Sequence, residues 1–262
     1  MNPLNRREKI LELLKKDGQV AVKELSIMFD TSEVTLRSDL KSLEQQGKLK
    51  RFFGGAQSIE SLPLSQQVVV QEDEIQIDNR YKINSDSKDH IASVAAGLVR
   101  KGDSIIIDSG STTHLVAKCL AKEGGYTIIT NNLAASSELL EAPDTTLVIV
   151  GGTYRSKTKS LHGYQAEQCL RGVQADVLIV GADGIDPEKG ITTFNEGYAI
   201  TGVMASCAQK VIAVVDSSKL GRIGFNKVLD ASQIDVLVID GGIPPETKRQ
   251  FENIGLEVLV VD

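Results

Sequence analysis

The feature that most constrains the fold is a regular alternation of short apolar runs with helical stretches in the larger, C-terminal part of the chain. Continuous apolar strands separated by helices are typical of a parallel sheet buried on both faces. We therefore predict an α/β fold. The expected helices include Thr112–Lys122, Leu133–Glu141 and Tyr198–Gln209. The expected strands are Ser104–Ile107, Thr127–Ile129, Thr146–Val150, Val177–Val180, Val211–Val215, Val236–Ile239 and Glu257–Val261.

Polar and glycine residues follow most of these strands, at the sheet edge where open α/β folds bind ligands. The loop Ser109–Thr113 joins a strand to a helix, where backbone amides favour an anion and Gly110 allows close approach. Its hydroxyl groups can also bind phosphate oxygens, although the same residues would suit a plain capped turn. The candidate ligand-binding residues are Asp108, Ser109, Gly110, Ser111, Thr112, Thr113, Asn131, Gly152, Arg155, Asp183 and Lys219.

Three of these candidates have two interpretations each. Lys219 and Arg155 could supply the counter-charge of a phosphate, or they could simply be exposed. Asp183 could hold sugar hydroxyls, or it could be a turn residue of its Asp-Gly pair.

The sequence lacks several motifs of nucleotide-binding, hydrolase and metal sites, and it lacks the segments of a secreted or membrane protein. The chain has no P-loop, no G-x-G-x-x-G fingerprint and no G-x-S-x-G elbow. Its histidines and cysteines lack the spacing of metal ligands, so no cofactor and no metal are expected. Without a signal peptide or an apolar run near the roughly 18 residues that span a membrane, a cytoplasmic protein with no membrane partner is predicted.

The N-terminal residues predict three helices and a basic hairpin. Helices are expected over Arg6–Lys16 and Val22–Phe29, and a third follows the capping residues 30–32. Two helices joined by a tight turn, the second one polar, indicate a helix-turn-helix motif, and the hairpin at residues 48–56 would be its wing. The buried stripe of the third helix is formed by Leu36, Leu40 and Leu43.

Charge is distributed unevenly along the chain. Residues 1–56 have a formal charge of +3, whereas the remainder has −9. Such asymmetry suggests two domains with different partners, although +3 is also ordinary for a surface that binds no nucleic acid. We predict a DNA-binding domain at 1–58, a linker at 59–84 and an α/β domain at 85–262. The candidate DNA-binding residues are Ser32, Glu33, Thr35, Arg37, Ser38, Lys41, Lys48, Lys50 and Arg51.

Many short motifs, in this order, resemble the DeoR family of bacterial transcriptional regulators. The likeness spans nearly the whole chain apart from the linker. Leu161–Gly163, Gln165–Glu167 and Phe194–Glu196 look closest to members that govern hexitol or N-acetyl amino-sugar use. The motifs are Arg6–Arg7, Gly18–Val20, Thr35–Leu40, Arg51–Ala56, Lys88–Ala92, Asp108–Thr113, Thr130–Asn132, Gly151–Gly152, Gly181–Asp186, Gly190–Thr193 and Asp216–Lys219.

This resemblance implies a winged helix-turn-helix, with the recognition helix within Thr31–Gln46, and a sensor domain that resembles ribose-5-phosphate isomerase in fold. It also implies a repressor of carbohydrate catabolic genes that binds double-stranded operator DNA and is controlled by a phosphorylated sugar. A homodimer or homotetramer is expected, because paired recognition helices match repeated half-sites.

The chain departs from the family pattern in two places. Ser38 stands where the family commonly has arginine, which removes one basic contact, and the linker between Ala56 and Arg80 looks longer than usual. A sugar-phosphate isomerase is the alternative function, and a constitutive DNA-bending or structural protein is another. The isomerases carry Asp-Gly-Ala-Asp where this chain has Val180–Asp183, and valine cannot transfer a proton. Their Lys-Gly-Gly-Gly segment has no counterpart around Gly190–Thr193, so a sensor is favoured.

Overall fold

The computed structural model describes residues 3–45, 48–52, 55–57, 75–194, 200–224 and 226–261. The chain divides into two compact units, Met1–Glu72 and Asp73–Asp262. None of the helices in the described ranges is long and apolar enough to cross a membrane.

The N-terminal unit combines three helices with a small antiparallel sheet. Its elements are α1 (Pro3–Asp17), β1 (Gln19–Ala21), α2 (Val22–Phe29), α3 (Glu33–Gln45), β2 (Lys50–Phe52) and β3 (Gly55–Gln57). Strand β3 lies between β1 and β2, so the wing also pairs with the strand that precedes α2. The core is closed by all three helices and includes Ile10, Leu25, Leu36, Leu40 and Leu43.

The turn between α2 and α3 is set by local capping. Asp30 ends α2 in a left-handed conformation with φ 44°. The Ser32 hydroxyl oxygen accepts the Thr35 amide at 3.2 Å, which satisfies a free donor at the start of α3. The winged helix-turn-helix prediction is confirmed. Phe53 and Gly54 of the predicted wing lie outside the described residues.

The C-terminal unit is built around a parallel sheet. Its first elements are α4 (Ile77–Arg80), α5 (Ser85–Ala96), β4 (Ser104–Ile107), α6 (Ser111–Glu123), β5 (Thr127–Thr130), α7 (Leu133–Leu139), β6 (Thr146–Ile149), β7 (Thr153–Arg155), β8 (Ser160–His162) and α8 (Tyr164–Leu170). They are followed by β9 (Ala175–Val180), β10 (Gly184–Asp186), β11 (Gly190–Thr193), α9 (Thr201–Ser206), β12 (Ala208–Val214), β13 (Asn226–Leu229), β14 (Val236–Asp240), α10 (Pro245–Asn253) and β15 (Glu257–Val261).

Within the described residues, seven parallel strands form the main sheet in the order β15-β14-β12-β9-β4-β5-β6. Each of the seven runs predicted as strands belongs to it. Both faces are buried, since Ile105 and Ile107 join one apolar cluster while Ile106 joins the other. The α/β prediction is therefore confirmed. The hairpin β7–β8 and the small sheet β10-β11-β13 were not predicted.

Two predicted boundaries differ from the structure. Helix α9 spans only Thr201–Ser206, because Ala208 already pairs with Ala175 in the main sheet, and Tyr198 lies outside the described residues. Residues 75–84, predicted as the end of the linker, pack as part of the C-terminal unit. Ile77 is 3% exposed and its amide donates to the Lys157 carbonyl oxygen at 3.0 Å. Residues 58–74 of the predicted linker lie outside the described residues.

Candidate functional site

A crevice lies at the carboxyl ends of three neighbouring strands, β4, β9 and β12. This is where open parallel sheets bind ligands, and the loops after these strands form much of its wall. The structure brings seven of the predicted ligand residues to this wall. They are Asp108, Ser109, Gly110, Ser111, Thr112, Asp183 and Lys219.

The loop after β4 is held from behind by Asp108 and Thr113. Asp108 accepts hydrogen bonds from the Ser109 amide and the Thr201 hydroxyl, both at 2.6 Å. Burial raises the pKa of the Asp108 carboxyl, and these hydrogen bonds oppose the rise. The Thr113 hydroxyl donates to the Asp108 carbonyl oxygen at 2.7 Å, so Thr113 supports the loop rather than lining the crevice.

The same loop is suited to an anion. Helix α6 begins at Ser111, and the first amides of an α-helix have no acceptor within the helix. Ser111 and Thr112 are buried in the wall. The crevice wall therefore contains backbone amides, the hydroxyl-bearing residues Ser111 and Thr112 and the positive end of the helix dipole, which together suit an anion.

Asp183 is engaged by several donors. Arg80 Nη1 lies 2.6 Å from Asp183 Oδ1, while Oδ2 accepts the Thr193 hydroxyl at 2.8 Å and the Phe194 amide at 3.1 Å. Burial raises the pKa of Asp183, but Arg80 and the hydrogen bonds outweigh this and hold the pKa below its usual value. The cationic side chains in the described crevice wall are Arg80, Lys88 and Lys219.

Lys88 is the most deeply buried of these cations, with 2% of its side chain exposed. Its Nζ donates to the carbonyl oxygens of Arg80 and Ile83, both at 2.6 Å, and lies 3.9 Å from Asp216 Oδ2. Burial lowers the pKa of Lys88 to about 8, and the Asp216 carboxylate opposes this shift. Because this value is above neutral pH, Lys88 remains a cation there. Burial also lowers the pKa of Lys219.

Asp216 completes the charged part of the wall. Its Oδ1 accepts Asn84 Nδ2 at 2.8 Å and the Ser218 hydroxyl. Burial raises the pKa of Asp216, but these hydrogen bonds and the neighbouring lysines outweigh this effect and hold the pKa below its usual value. The carboxylate therefore stays ionised. Across the described part of the chain, no group of three or more His, Cys, Asp or Glu side chains is placed to hold a metal ion.

Three predicted ligand residues, Asn131, Gly152 and Arg155, lie outside the crevice wall. The Asn131 amide group donates to the Leu161 carbonyl oxygen at 3.1 Å. A Cβ atom on Gly152 would lie 2.5 Å from the His162 carbonyl oxygen, so close packing requires this glycine. Arg155 ends strand β7. Asn131 and Gly152 therefore contact the β7–β8 hairpin and Arg155 belongs to it, while His162 of that hairpin lines the crevice.

The structure also places residues in the wall that were not predicted. Arg80 belongs to a segment taken for linker, and Thr193 belongs to a strand without a sequence signal. Lys88 could have been found, because it is a single charge on the otherwise apolar buried side of α5. The residues missed include Arg80, Lys88, Thr158, His162, Thr193 and Thr201.

Helix α3 presents polar side chains opposite its buried stripe. Arg37 is exposed and pairs with the half-buried Glu33, its Nη2 lying 2.6 Å from Oε2. The other exposed candidates in the N-terminal unit are Ser32, Thr35, Ser38 and Lys48. The side chains of Lys41, Lys50 and Arg51 lie outside the described part of the structure, and their backbone belongs to α3 and β2.

Asp39, inside the Arg37–Leu40 motif, has a structural task that was not predicted. It is buried, with Oδ2 2.5 Å from Arg6 Nε and Oδ1 2.8 Å from Arg7 Nε. The carboxylate therefore joins α3 to α1. Arg6 and Arg7, two of the basic residues that give this unit its positive charge, therefore bind a carboxylate of the same unit.

Comparison with known proteins agrees with this arrangement. Residues 6–62 match the DeoR-like helix-turn-helix domain, and residues 83–241 match the DeoR C terminal sensor domain. The chain is 35% identical to an aga operon transcriptional repressor of Escherichia coli O157:H7, over 98% of this chain and 93% of that protein. It is 33% identical to the regulator GlpR of Haloferax volcanii, over 99% and 98%. It is 31% identical to the lactose phosphotransferase system repressor of Lactococcus lactis subsp. lactis, over 96% of each.

Among solved structures, ribose 5-phosphate isomerase A of Methanocaldococcus jannaschii aligns with 22% identity and a TM-score of 0.39. The alignment covers 52% of this chain and 55% of that one. No statement about activity follows from a likeness of this extent.

Proposed function

The chain belongs to the DeoR family of transcriptional regulators, and on this premise we propose that it represses a carbohydrate catabolic operon under the control of a phosphorylated sugar. The names of two relatives, an aga operon repressor and a lactose phosphotransferase system repressor, support a carbohydrate operon as the target. In this proposal the protein acts in the cytoplasm as a homodimer or homotetramer, because paired recognition helices suit repeated half-sites.

One observation carries the proposal: a winged helix-turn-helix and an anion-suited crevice occur in the same chain. The first reads DNA, and the second has the amides, hydroxyls and cations that a sugar phosphate needs. We assign residues 1–58 to DNA binding, shorten the linker to 59–74 and begin the sensor domain at residue 75. The proposed effector contacts are Ser109, Gly110, Ser111, Thr112, Asp183 and Lys219, with Asp108 and Thr113 holding the loop.

On the DNA side, α3 is proposed as the recognition helix. Exposed Arg37 reaches a base edge while Glu33 orients it through their ion pair. Ser38, in place of the family's arginine, makes this surface less basic and changes its sequence preference. The further proposed contacts are Ser32 just before α3, Thr35 and Lys41 on α3, and Lys48, Lys50 and Arg51 in the wing.

An isomerase activity is not proposed. Val180, which replaces the first acid of the isomerase motif, is fully buried in the core. Asp183, the remaining acid of that motif, has a lowered pKa and is therefore a weak proton acceptor. Turnover of pentose or amino-sugar phosphates by the pure protein would revive the enzyme alternative.

The test combines two measurements on the full chain. Calorimetric titration with a panel of phosphorylated sugars and their unphosphorylated counterparts identifies the effector, and only the phosphorylated forms are expected to bind. Fluorescence anisotropy with a duplex that the chain selects from random DNA then measures operator affinity with and without that sugar. Operator affinity indifferent to every bound sugar phosphate would refute the regulatory proposal.

A further inference from the structure

The α4 segment, residues 75–84, forms one wall of the crevice through Ile77 and Arg80. It is also the first described stretch of chain after strand β3 of the DNA-binding unit. The chain therefore passes from the effector crevice to the N-terminal unit by way of this segment. Anything that repositions the segment acts on the covalent connection between the two units.

Polar contacts attach the α4 segment to the crevice. Arg80 pairs with Asp183 at 2.6 Å, and Asn84 Nδ2 donates to Asp216 Oδ1 at 2.8 Å. Lys88, on the following helix, donates to two carbonyl oxygens of the segment. These contacts tie the segment to charged groups that an anion in the crevice would meet, while the Ile77 amide and the Asp78 carboxylate tie it to Lys157 and Lys159.

The Arg80–Asp183 pair is the contact that an anion can exchange. Asp183 keeps the Thr193 hydroxyl and the Phe194 amide on its other oxygen, so it stays hydrogen-bonded when Arg80 leaves. A phosphate dianion carries more charge than a carboxylate, and its oxygens match the planar fork of a guanidinium. A phosphate bound at the start of α6 therefore competes with Asp183 for Arg80.

We propose that Arg80 is an effector-contacting residue, and that a phosphorylated ligand takes it from Asp183 and so removes one of the contacts that hold the α4 segment. This inference rests on the proposed function of the crevice as the effector site. A ligand shifts an equilibrium only if it binds two states unequally. Here the two states differ in whether Arg80 binds Asp183. If DNA also binds these states unequally, DNA and ligand alter each other's affinity by the same factor.

The affinity of the full chain for inorganic phosphate, measured by calorimetry, tests the exchange. Arg80→Gln is expected to weaken phosphate binding at least about tenfold, the loss of a charge-assisted hydrogen bond. Asp183→Asn is expected to strengthen it by about fivefold, because the neutral amide no longer competes for Arg80. Lys82→Gln removes an exposed cation from the same segment and is the matched control, with no change expected.

The exchange predicts changes of phosphate affinity in opposite directions for Arg80→Gln and Asp183→Asn. Unchanged phosphate affinity in Arg80→Gln, or weaker binding in Asp183→Asn, would overturn the proposal. Far-UV circular dichroism checks folding, and Arg80→Lys serves if Arg80→Gln does not fold. Lysine keeps the charge but loses the fork, so intermediate affinity is expected, and wild-type affinity in Arg80→Lys would equally overturn the proposal.

A second arm measures the coupling to DNA. The factor by which phosphate or a bound sugar phosphate changes operator affinity should shrink toward one in Arg80→Gln, and an undiminished factor would contradict the role of Arg80. Lys82→Gln should keep the wild-type factor. If the wild-type chain binds neither phosphate nor any sugar phosphate, the proposed function itself is refuted, whereas the variants test Arg80 alone.

Discussion

Asp39 of α3 stabilises the N-terminal unit by binding two arginines of α1, and the variant Asp39→Ala tests this role. Its side chain is 3% exposed, with Arg6 at 2.5 Å and Arg7 at 2.8 Å. Removing one partner of a buried ion pair costs about 3–5 kcal/mol, because the remaining charge is left desolvated. Arg6, at 7% side-chain exposure, is the more buried of the two arginines that bind Asp39. We therefore expect the free energy of unfolding of the N-terminal unit to fall by about 3–5 kcal/mol.

The two units can be followed separately in the full chain. Its five tyrosines lie between Tyr81 and Tyr198 and it has no tryptophan, so tyrosine fluorescence reports the C-terminal unit while far-UV circular dichroism reports both. For a small domain, 1 kcal/mol shifts Tm by about 4–8 °C. The N-terminal transition should therefore fall by more than about 12 °C in Asp39→Ala, while the tyrosine transition stays in place.

A matched control removes an exposed carboxylate from α1. Glu12 pairs with Lys9 at 2.8 Å on the surface, and Glu12→Ala should leave the melting unchanged. The structural role of Asp39 is refuted if Asp39→Ala melts like the wild type, or if Glu12→Ala is as destabilising. Asp39→Asn keeps the shape of the side chain but not its charge, so its N-terminal melting temperature should lie between those of Asp39→Ala and Glu12→Ala.

Three further predictions concern binding. Arg37→Ala should weaken operator binding by about 1–3 kcal/mol and relax specificity at one position, and normal binding in a salt-controlled shift assay would remove Arg37 from the interface. Lys219→Ala should weaken effector binding about tenfold, and an unaltered calorimetric titration would exclude Lys219 from the site. Burial lowers the pKa of Lys88 to about 8, so the crevice loses a positive charge as pH rises through that value. Phosphate affinity should fall between about pH 7 and pH 9 and the slope should flatten in Lys88→Met; a wild-type affinity that does not fall would contradict this role.

The main sheet could be predicted from sequence because its strands are buried on both faces. Ile105–Ile107 and Val236–Ile239 are continuous apolar runs between helices, a pattern typical of the central strands of a parallel sheet. Strands β10 and β11 gave no such signal. They are three and four residues long and each begins with glycine. They pair with each other, and β11 also pairs with the more distant β13, so their order does not follow from a pattern of their own.

The crevice was predictable where polar residues directly follow a strand of the main sheet. Ser109–Thr112 could be found because one strand-to-helix junction places amides and hydroxyls together. The Arg80–Asp183 pair could not be found in this way. The two residues belong to segments far apart in sequence and meet only in the folded chain. Asn131 and Gly152 illustrate the converse, because they follow strands of the same sheet region yet support a hairpin instead of facing the crevice.

The number of cations in the crevice wall does not by itself explain how the crevice would bind an anion. The described wall contains three cations, Arg80, Lys88 and Lys219, but also the carboxylates of Asp108, Asp183 and Asp216. These carboxylates offset much of the positive charge, although burial raises the pKa of the Asp108 carboxyl. In the proposed exchange, an incoming phosphate takes Arg80 from Asp183, the carboxylate that lies 2.6 Å from it. Binding by exchange of partners necessarily changes an internal contact, which is what a sensor requires and a passive phosphate pocket does not.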